Sequence, residues 1–150
     1  MSRAPTGDIR RSGVSVGYGD AMPELIHTCY RVYDLDSSIA FYEKLGMKEL
    51  RRLPIGDEAI NVFMGFTEDG PRLELTHNFD QQEPYEVGTG YGHVAMTVND
   101  MDDALERLAL MGISPERPPY TVSEGGSRLC FVRDPDGYRI ELIERDPGIE

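Results

Sequence analysis

The eight residues HVAMTVND, at positions 93–100, decide the fold because the chain contains a second copy of their layout. The other copy, HTCYRVYD at positions 27–34, also begins with a histidine and has an aspartate seven positions on. The two copies lie 66 residues apart (93 − 27 and 100 − 34). In each, alternating side chains predict a strand, and the helical pattern that follows ends at a glycine, Gly46 or Gly112. The repeated layout predicts a tandem duplication.

Each copy continues into further strands, so the fold class predicted is α+β, built from two tandem βαβββ modules. In the second module, prolines at 115, 118 and 119 disfavour a strand directly after the helix. The expected boundaries are residues 24–80 for module one, 81–90 for a polar linker and 91–146 for module two, with tails at 1–23 and 147–150. Residues 1–23 are polar and carry no apolar run long enough for a signal peptide or membrane span, so we expect a disordered tail.

Composition narrows the possible partners. The chain has 150 residues and a formal net charge of −12, which argues against nucleic acid and anionic membranes. Its two cysteines, Cys29 and Cys130, have no zinc-finger or CxxC spacing, so neither a disulfide framework nor a structural zinc site is predicted. The cytoplasm is the expected location.

One histidine and one glutamate recur in each module, His27 with Glu74 and His93 with Glu141. Strand alternation places them on the face that the helix does not cover. A single histidine in a half-buried strand is usually structural, but a carboxylate among apolar strand neighbours is costly to bury unless it is paired or metal-bound. If the two modules pack with pseudo-twofold symmetry, the four side chains can converge. Such a set would suit zinc, nickel, cobalt, manganese or iron.

Five motifs carry a family resemblance across residues 24–146: LIHT at 25–28, SIAFY at 38–42, LELT at 73–76, YEVGTGYGH at 85–93 and DPDGYRIE at 134–141. With them, the domain resembles the vicinal oxygen chelate superfamily and, within it, bacterial short-type glyoxalase I (lactoylglutathione lyases). The Asp-Pro-Asp-Gly turn is common in that superfamily. The string ending at His93, together with all four candidate ligands, is more specific.

The resemblance implies a site and a reaction. His27, Glu74, His93 and Glu141 would bind one divalent metal ion per site, with nickel or cobalt favoured and zinc or manganese possible. Glu141 would be the principal catalytic base, and Glu74 its counterpart for the opposite face of the substrate. The family reaction isomerises the hemithioacetal of methylglyoxal and a thiol, through an enediolate, to an S-D-lactoyl thioester, which detoxifies methylglyoxal.

The thiol is expected to be glutathione, whose glutamyl end the resemblance assigns to Arg31 and Asn78. Beside Gly125-Gly126, where short bacterial members tend to have a lysine, this chain has Glu124. Arg128 is a candidate substitute for that lysine. The departure leaves mycothiol and bacillithiol open as alternatives.

Two other functions fit the same fold. One is a different metal-dependent isomerase, lyase or dioxygenase of the superfamily, acting on another thiol adduct or small oxygenated substrate. The other is a metal-free small-molecule-binding protein, which would have no reason to keep all four ligand residues. The resemblance also implies a homodimer, and the sequence leaves open whether each site forms within one chain or across two.

Overall fold

The computed structural model describes residues 22–145. Along the chain the elements are β1 (His27–Arg31), α1 (Leu35–Lys44), β2 (Lys48–Ile55), β3 (Ala59–Gly65), β4 (Arg72–Asn78), β5 (Val94–Val98), α2 (Met101–Ala109), β6 (Leu129–Arg133) and β7 (Arg139–Glu144). The predicted tails at 1–23 and 147–150 lie outside the described residues, apart from positions 22 and 23. The exact module boundaries remain a prediction.

Both helices begin and end as the duplication predicts. The carboxylates of Asp34 and Asp100 accept backbone N–H groups of the first turns of α1 and α2, at 3.0 and 2.9 Å. Just beyond the helices, Gly46 and Gly112 adopt φ values of +97° and +74°. Glycine reaches this left-handed region without the steric penalty of a Cβ, so it ends each helix.

The first sheet has the strand order β1-β4-β3-β2. β1 runs parallel to β4, while β4 with β3 and β3 with β2 are antiparallel pairs. The second sheet has the order β5-β7-β6, again with a parallel first pair and an antiparallel second pair. Where the first module has an additional strand, the second has only an isolated bridge between Tyr120 and Leu129. The prolines before Tyr120 explain the difference, because proline cannot donate a ladder hydrogen bond.

The apolar faces of both sheets and both helices contribute to one core. Its fully buried members include Phe41, Tyr42, Leu75, Met101, Leu108, Ile140 and Leu142. Cys130 is also fully buried, and both cysteines are free thiols. Because the helices cover one face of each sheet, the opposite faces remain open for the candidate site residues.

The two modules meet at a seam, formed by Asp134, Asp136 and Tyr138 and their partners in the first module. The Tyr42 hydroxyl donates to Asp134 Oδ2 at 2.7 Å, and the Tyr33 backbone N–H donates to Asp136 Oδ1 at 2.8 Å. Asp134 is only 4% exposed. The Asp-Pro-Asp-Gly turn therefore does more than reverse the chain, because its carboxylates join the modules.

Aromatic rings extend the seam. The Tyr138 ring stacks on that of Tyr30 with centroids 4.0 Å apart, and Tyr91 meets both edge-on. The Tyr138 hydroxyl donates to the backbone oxygen of Arg31 at 2.9 Å. Burial raises the pKa of Tyr138 to about 12, so this hydroxyl keeps its proton.

Within residues 22–145, no helix is long and apolar enough to cross a membrane.

Candidate metal centre

The first His–Glu pair lies where β1 and β4 run side by side. Cys29 is the register partner of Glu74, and His27 lies two positions earlier on the same face. The His27 Nε2 and Glu74 Oε2 atoms are 2.9 Å apart. The imidazole is 39% exposed and the carboxylate 12%, so both side chains border solvent from the open face of the sheet.

The second pair repeats this geometry on β5 and β7. Ala95 is the register partner of Glu141, and His93 precedes Ala95 by two positions. The His93 Nε2 and Glu141 Oε2 atoms are 3.0 Å apart. The two modules therefore share the strand register of the pair, and in both of them Nε2 of the histidine contacts Oε2 of the glutamate.

A phenylalanine backs each histidine. Phe63 on β3 and Phe131 on β6 are the antiparallel partners of Glu74 and Glu141. Their rings meet His27 and His93 edge-on, at centroid distances of 5.8 and 5.0 Å. Neither phenylalanine was identified from the sequence. Aligning β3 with β6 so that the partners of Glu74 and Glu141 coincide would have found them.

The four predicted ligands meet as two pairs and not as one set. Among the described residues, no three His, Cys, Asp or Glu side chains lie close enough together to hold one metal ion. Each module thus presents a half-site with one nitrogen and one oxygen donor. A four-ligand centre requires that the two half-sites face each other in a larger assembly.

Polar side chains surround the Glu74 carboxylate. Asn61 Nδ2 donates to Glu74 Oε1 at 2.8 Å, and the Thr76 hydroxyl lies 3.3 Å from the same oxygen. The Thr76 hydroxyl also donates to Asn61 Oδ1 at 3.0 Å, and Cys29 Sγ lies 3.3 Å from that hydroxyl. Cys29 accordingly lines the site. Asn61 had not been identified from the sequence.

The second half-site has an ion pair beside it. Arg139 donates to both carboxylate oxygens of Glu116, at 2.9 and 2.7 Å, and its guanidinium lies 4.0 Å from the centroid of the Phe131 ring. The hydrogen bond lowers the pKa of Glu116 and raises that of Arg139. The Arg139 guanidinium stacks on the Phe131 ring, and that ring in turn supports His93.

Arg31 and Asn78 lie on the same face of the first sheet as the His27 and Glu74 pair. Arg31 is the register partner of Thr76, and its side chain is exposed. Asn78 lies four positions beyond Glu74, on the order of 13 Å along the strand. Its Nδ2 donates to the Tyr85 hydroxyl at 2.9 Å, which ties the linker to the sheet. Both residues can meet a ligand that extends along this face.

Arg128, the candidate substitute for the lysine of the short bacterial type, pairs with acidic side chains of its own module. Its guanidinium pairs with Asp102 of α2 at 2.9 Å and lies 3.7 Å from Glu144. Hydrogen bonding to Asp102 raises the pKa of Arg128. Arg128 is therefore engaged by the helix in this structure, while Glu124 is exposed in the loop.

The chain matches a known protein family along most of its length. The family described as Glyoxalase/Bleomycin resistance protein/Dioxygenase superfamily matches residues 24–142. A lactoylglutathione lyase of Arabidopsis thaliana is 43% identical over 132 residues, which cover 83% of this chain and 45% of the relative. This chain thus spans less than half the length of that relative. A lactoylglutathione lyase of Neisseria meningitidis is 41% identical over 128 residues, which cover 83% of this chain and 92% of the relative.

Solved structures show the same fold. Glyoxalase I from Zea mays superposes with a TM-score of 0.74 at 38% identity and covers 81% of this chain and 44% of its own. The glyoxalase I of Leishmania major, described as trypanothione-dependent, superposes with a TM-score of 0.70 at 36% identity and covers 82% of this chain and 87% of its own.

Proposed function

Since this chain belongs to the glyoxalase/bleomycin resistance protein/dioxygenase superfamily, we propose that it is a metal-dependent lyase of the glyoxalase I type. Its substrate is the hemithioacetal that forms from methylglyoxal and a thiol, and its product is an S-D-lactoyl thioester. Relatives named lactoylglutathione lyase match at about 40% identity, some of them over nearly their whole length.

The single observation that carries the proposal is the repeated His–Glu pair. A hydrogen-bonded histidine and carboxylate could be purely structural, but two pairs in one register, both on open sheet faces, fit a shared ligand better. The histidine nitrogen and the glutamate oxygen that could bind a metal are 2.9 Å apart in the first pair and 3.0 Å apart in the second. Two ligands with bonds of about 2.1 Å that meet at a right angle lie about 3.0 Å apart, so each pair fits neighbouring positions around a divalent ion.

His27, Glu74, His93 and Glu141 would hold the metal, with nickel or cobalt favoured and zinc or manganese compatible with the same donors. When bound, a divalent ion acts as a Lewis acid toward the two adjacent oxygens of the substrate. Glu141 takes the proton from the carbon that bears sulfur and returns it to the neighbouring carbon, so the reaction is a net isomerisation. Glu74 faces the substrate from the other module and is the matching carboxylate for the opposite face.

Glutathione is the proposed thiol, with Arg31 and Asn78 meeting its glutamyl end. A guanidinium can bind a carboxylate through two parallel hydrogen bonds, and Arg31 is exposed on the site face. Arg128, the candidate substitute for the lysine of the short bacterial type, forms an exposed ion pair with Asp102. Because the Leishmania major relative is described as trypanothione-dependent, other thiols belong in the assay.

A homodimer with shared sites is part of the proposal. One chain presents two half-sites, and an antiparallel pairing of two chains would place each first module against a second module. A reducing cytoplasm suits the exposed free thiol of Cys29.

The activity is tested with metal-stripped protein reloaded with nickel, cobalt, zinc or manganese. Thioester formation from methylglyoxal and glutathione is followed by ultraviolet absorbance, with mycothiol and bacillithiol in parallel. We expect metal-dependent turnover that Glu141→Gln abolishes and that the matched surface variant Glu106→Gln retains. Absence of turnover with every metal and thiol would refute the lyase proposal.

The shared site is tested by mixing two inactive variants, His27→Ala and His93→Ala. In a mixed dimer with shared sites, one site carries both substitutions and the other carries neither. Random pairing makes half of the dimers mixed, so about one quarter of wild-type activity should return after co-refolding. No recovery, with mixed dimers detected by mass, would refute the shared site.

A further inference from the structure

We propose that Asn61 and Thr76 are positioning residues that hold the Glu74 carboxylate in one orientation, and that the second module lacks this support, so that Glu141 is the freer of the two carboxylates to move. The inference rests on the proposed function in one respect, that both glutamates belong to the metal site. It concerns how one chain makes its two duplicated halves chemically unequal.

The contacts around Glu74 form a directional relay. The Thr76 hydroxyl donates to Asn61 Oδ1 at 3.0 Å, which turns the amide so that its Nδ2 faces Glu74. Nδ2 then donates to Glu74 Oε1 at 2.8 Å, a hydrogen bond strengthened by the negative charge. The other carboxylate oxygen, Oε2, stays directed at His27. Rotating the Glu74 carboxylate away from His27 would break the Asn61 bond.

The duplication supplies an internal comparison. Antiparallel register pairs Asn61 with Thr76 on the first sheet and Leu129 with Ile143 on the second. Both pairs lie on the site face, each two positions from the paired phenylalanine and glutamate. Leu129 and Ile143 therefore occupy the places of Asn61 and Thr76, and neither side chain can donate a hydrogen bond.

The remaining polar neighbour is also replaced. Parallel register pairs Cys29 with Glu74 but Ala95 with Glu141. Within residues 22–145, His93 is the one side chain within hydrogen-bonding distance of the Glu141 carboxylate. Glu141 can therefore rotate at the expense of one contact, whereas Glu74 is held from both oxygens.

This asymmetry assigns different work to two equivalent residues. A carboxylate that must carry a proton between two carbons has to change position, while a fixed ligand keeps the centre assembled. The Asn61 and Thr76 pair accordingly makes Glu74 the less mobile ligand and leaves the principal proton transfer to Glu141.

The test compares variants in the two modules. Asn61→Leu introduces the residue of the equivalent place in module two, Thr76→Val removes the hydroxyl at similar shape, and Thr76→Ser retains it. Leu129→Met is the matched control beside Glu141. Each protein is purified without metal, its folding is checked by its unfolding transition, and its crystal structure is used to count the conformers of both glutamates. Cobalt is then added, and its dissociation constant and visible spectrum are measured.

We expect one Glu74 conformer in the wild type and more than one in Asn61→Leu, with cobalt bound tenfold or more weakly and an altered visible spectrum. Thr76→Val should move in the same direction, while Thr76→Ser and Leu129→Met match the wild type. A single Glu74 conformer in both Asn61→Leu and Thr76→Val, with cobalt affinity unchanged, would overturn the inference. If cobalt does not bind the wild type or no thioester forms, the proposed function fails, and the Glu74 conformers still decide this inference.

Discussion

Replacing Asp134 by asparagine is expected to change how the stability of this protein depends on pH. Asp134 is 4% exposed, and its Oδ1 accepts the backbone N–H groups of Asp136 and Tyr138 at 3.0 and 2.9 Å. Its Oδ2 accepts the Tyr42 hydroxyl at 2.7 Å. Burial raises the pKa of Tyr42 well above its usual value, so the phenol keeps the proton that it donates. An asparagine fits this environment, because its amide can donate to the Tyr42 oxygen and its carbonyl can accept both N–H groups.

The magnitude follows from the pKa of the carboxyl group. Burial raises the pKa of Asp134 from 3.8 to about 6, although three hydrogen bonds oppose the shift. Because the folded pKa lies above the unfolded one, the protonated form is favoured in the fold. Its contribution to stability is complete below pH ~4 and is lost as the pH rises through about 6. A pKa difference of about 2 between the folded and unfolded states corresponds to about 3 kcal/mol of unfolding free energy. The wild type should lose this stability between pH 4 and pH 7, and Asp134→Asn should not.

The assay is urea unfolding of both proteins at closely spaced pH values and one fixed protein concentration. We expect the stability of Asp134→Asn relative to the wild type to rise by about 3 kcal/mol from pH 4 to pH 7. Asp102→Asn is the control, because hydrogen bonding to Arg128 lowers the pKa of Asp102, so the pH dependence that this carboxyl contributes lies below pH ~4 and its difference from the wild type should stay nearly constant from pH 4 to pH 7. A constant difference between Asp134→Asn and the wild type across this range would refute the reasoning.

Three further outcomes are expected. Leu142→Ala should lower the unfolding free energy by about 2–5 kcal/mol in urea, because Leu142 is fully buried, whereas Val122→Ala, at a position 79% exposed, should leave it unchanged. Gly46→Ala should lower the unfolding free energy by roughly 1–2 kcal/mol, since the φ of +97° at Gly46 is unfavourable for alanine. Gly90→Ala should leave it unchanged, because an added Cβ at Gly90 meets nothing within 4 Å. Equal effects of the two substitutions would contradict the strain argument. Nickel or cobalt at about 100 times its Kd should stabilise the wild type by about 2.7 kcal/mol in thermal unfolding, and the same concentration should have little effect on His93→Ala.

Much of the half-site geometry could be predicted from the sequence because strands alternate strictly. Placing His27 and Glu74 on the uncovered face needed only the period of two and the position of the apolar residues. The duplication then fixed His93 and Glu141 by analogy. The glycine ends of the helices followed from an equally local rule.

The features that escaped prediction depend on contacts between distant segments. Asn61 looks like an ordinary polar strand residue until register places it beside Glu74. The Asp-Pro-Asp-Gly segment predicts a turn, and turns usually lie at the surface, yet Asp134 is buried against Tyr42, 92 positions earlier in the chain. The sequence left open whether the four ligands converge within one chain or across two, and in residues 22–145 the two pairs lie apart. No local pattern encodes how two modules orient relative to each other.

The tyrosine stack at the seam has a practical consequence for spectroscopy. The chain contains no tryptophan and eight tyrosines, so tyrosine dominates its near-ultraviolet absorption and emission. Tyr30, Tyr91 and Tyr138 contact one another where the two modules join. Separating the modules would remove this ring contact while each helix could still keep its backbone hydrogen bonds. The near-ultraviolet circular dichroism of the unlabelled protein is therefore a built-in optical probe of module docking, independent of the far-ultraviolet signal of its helices.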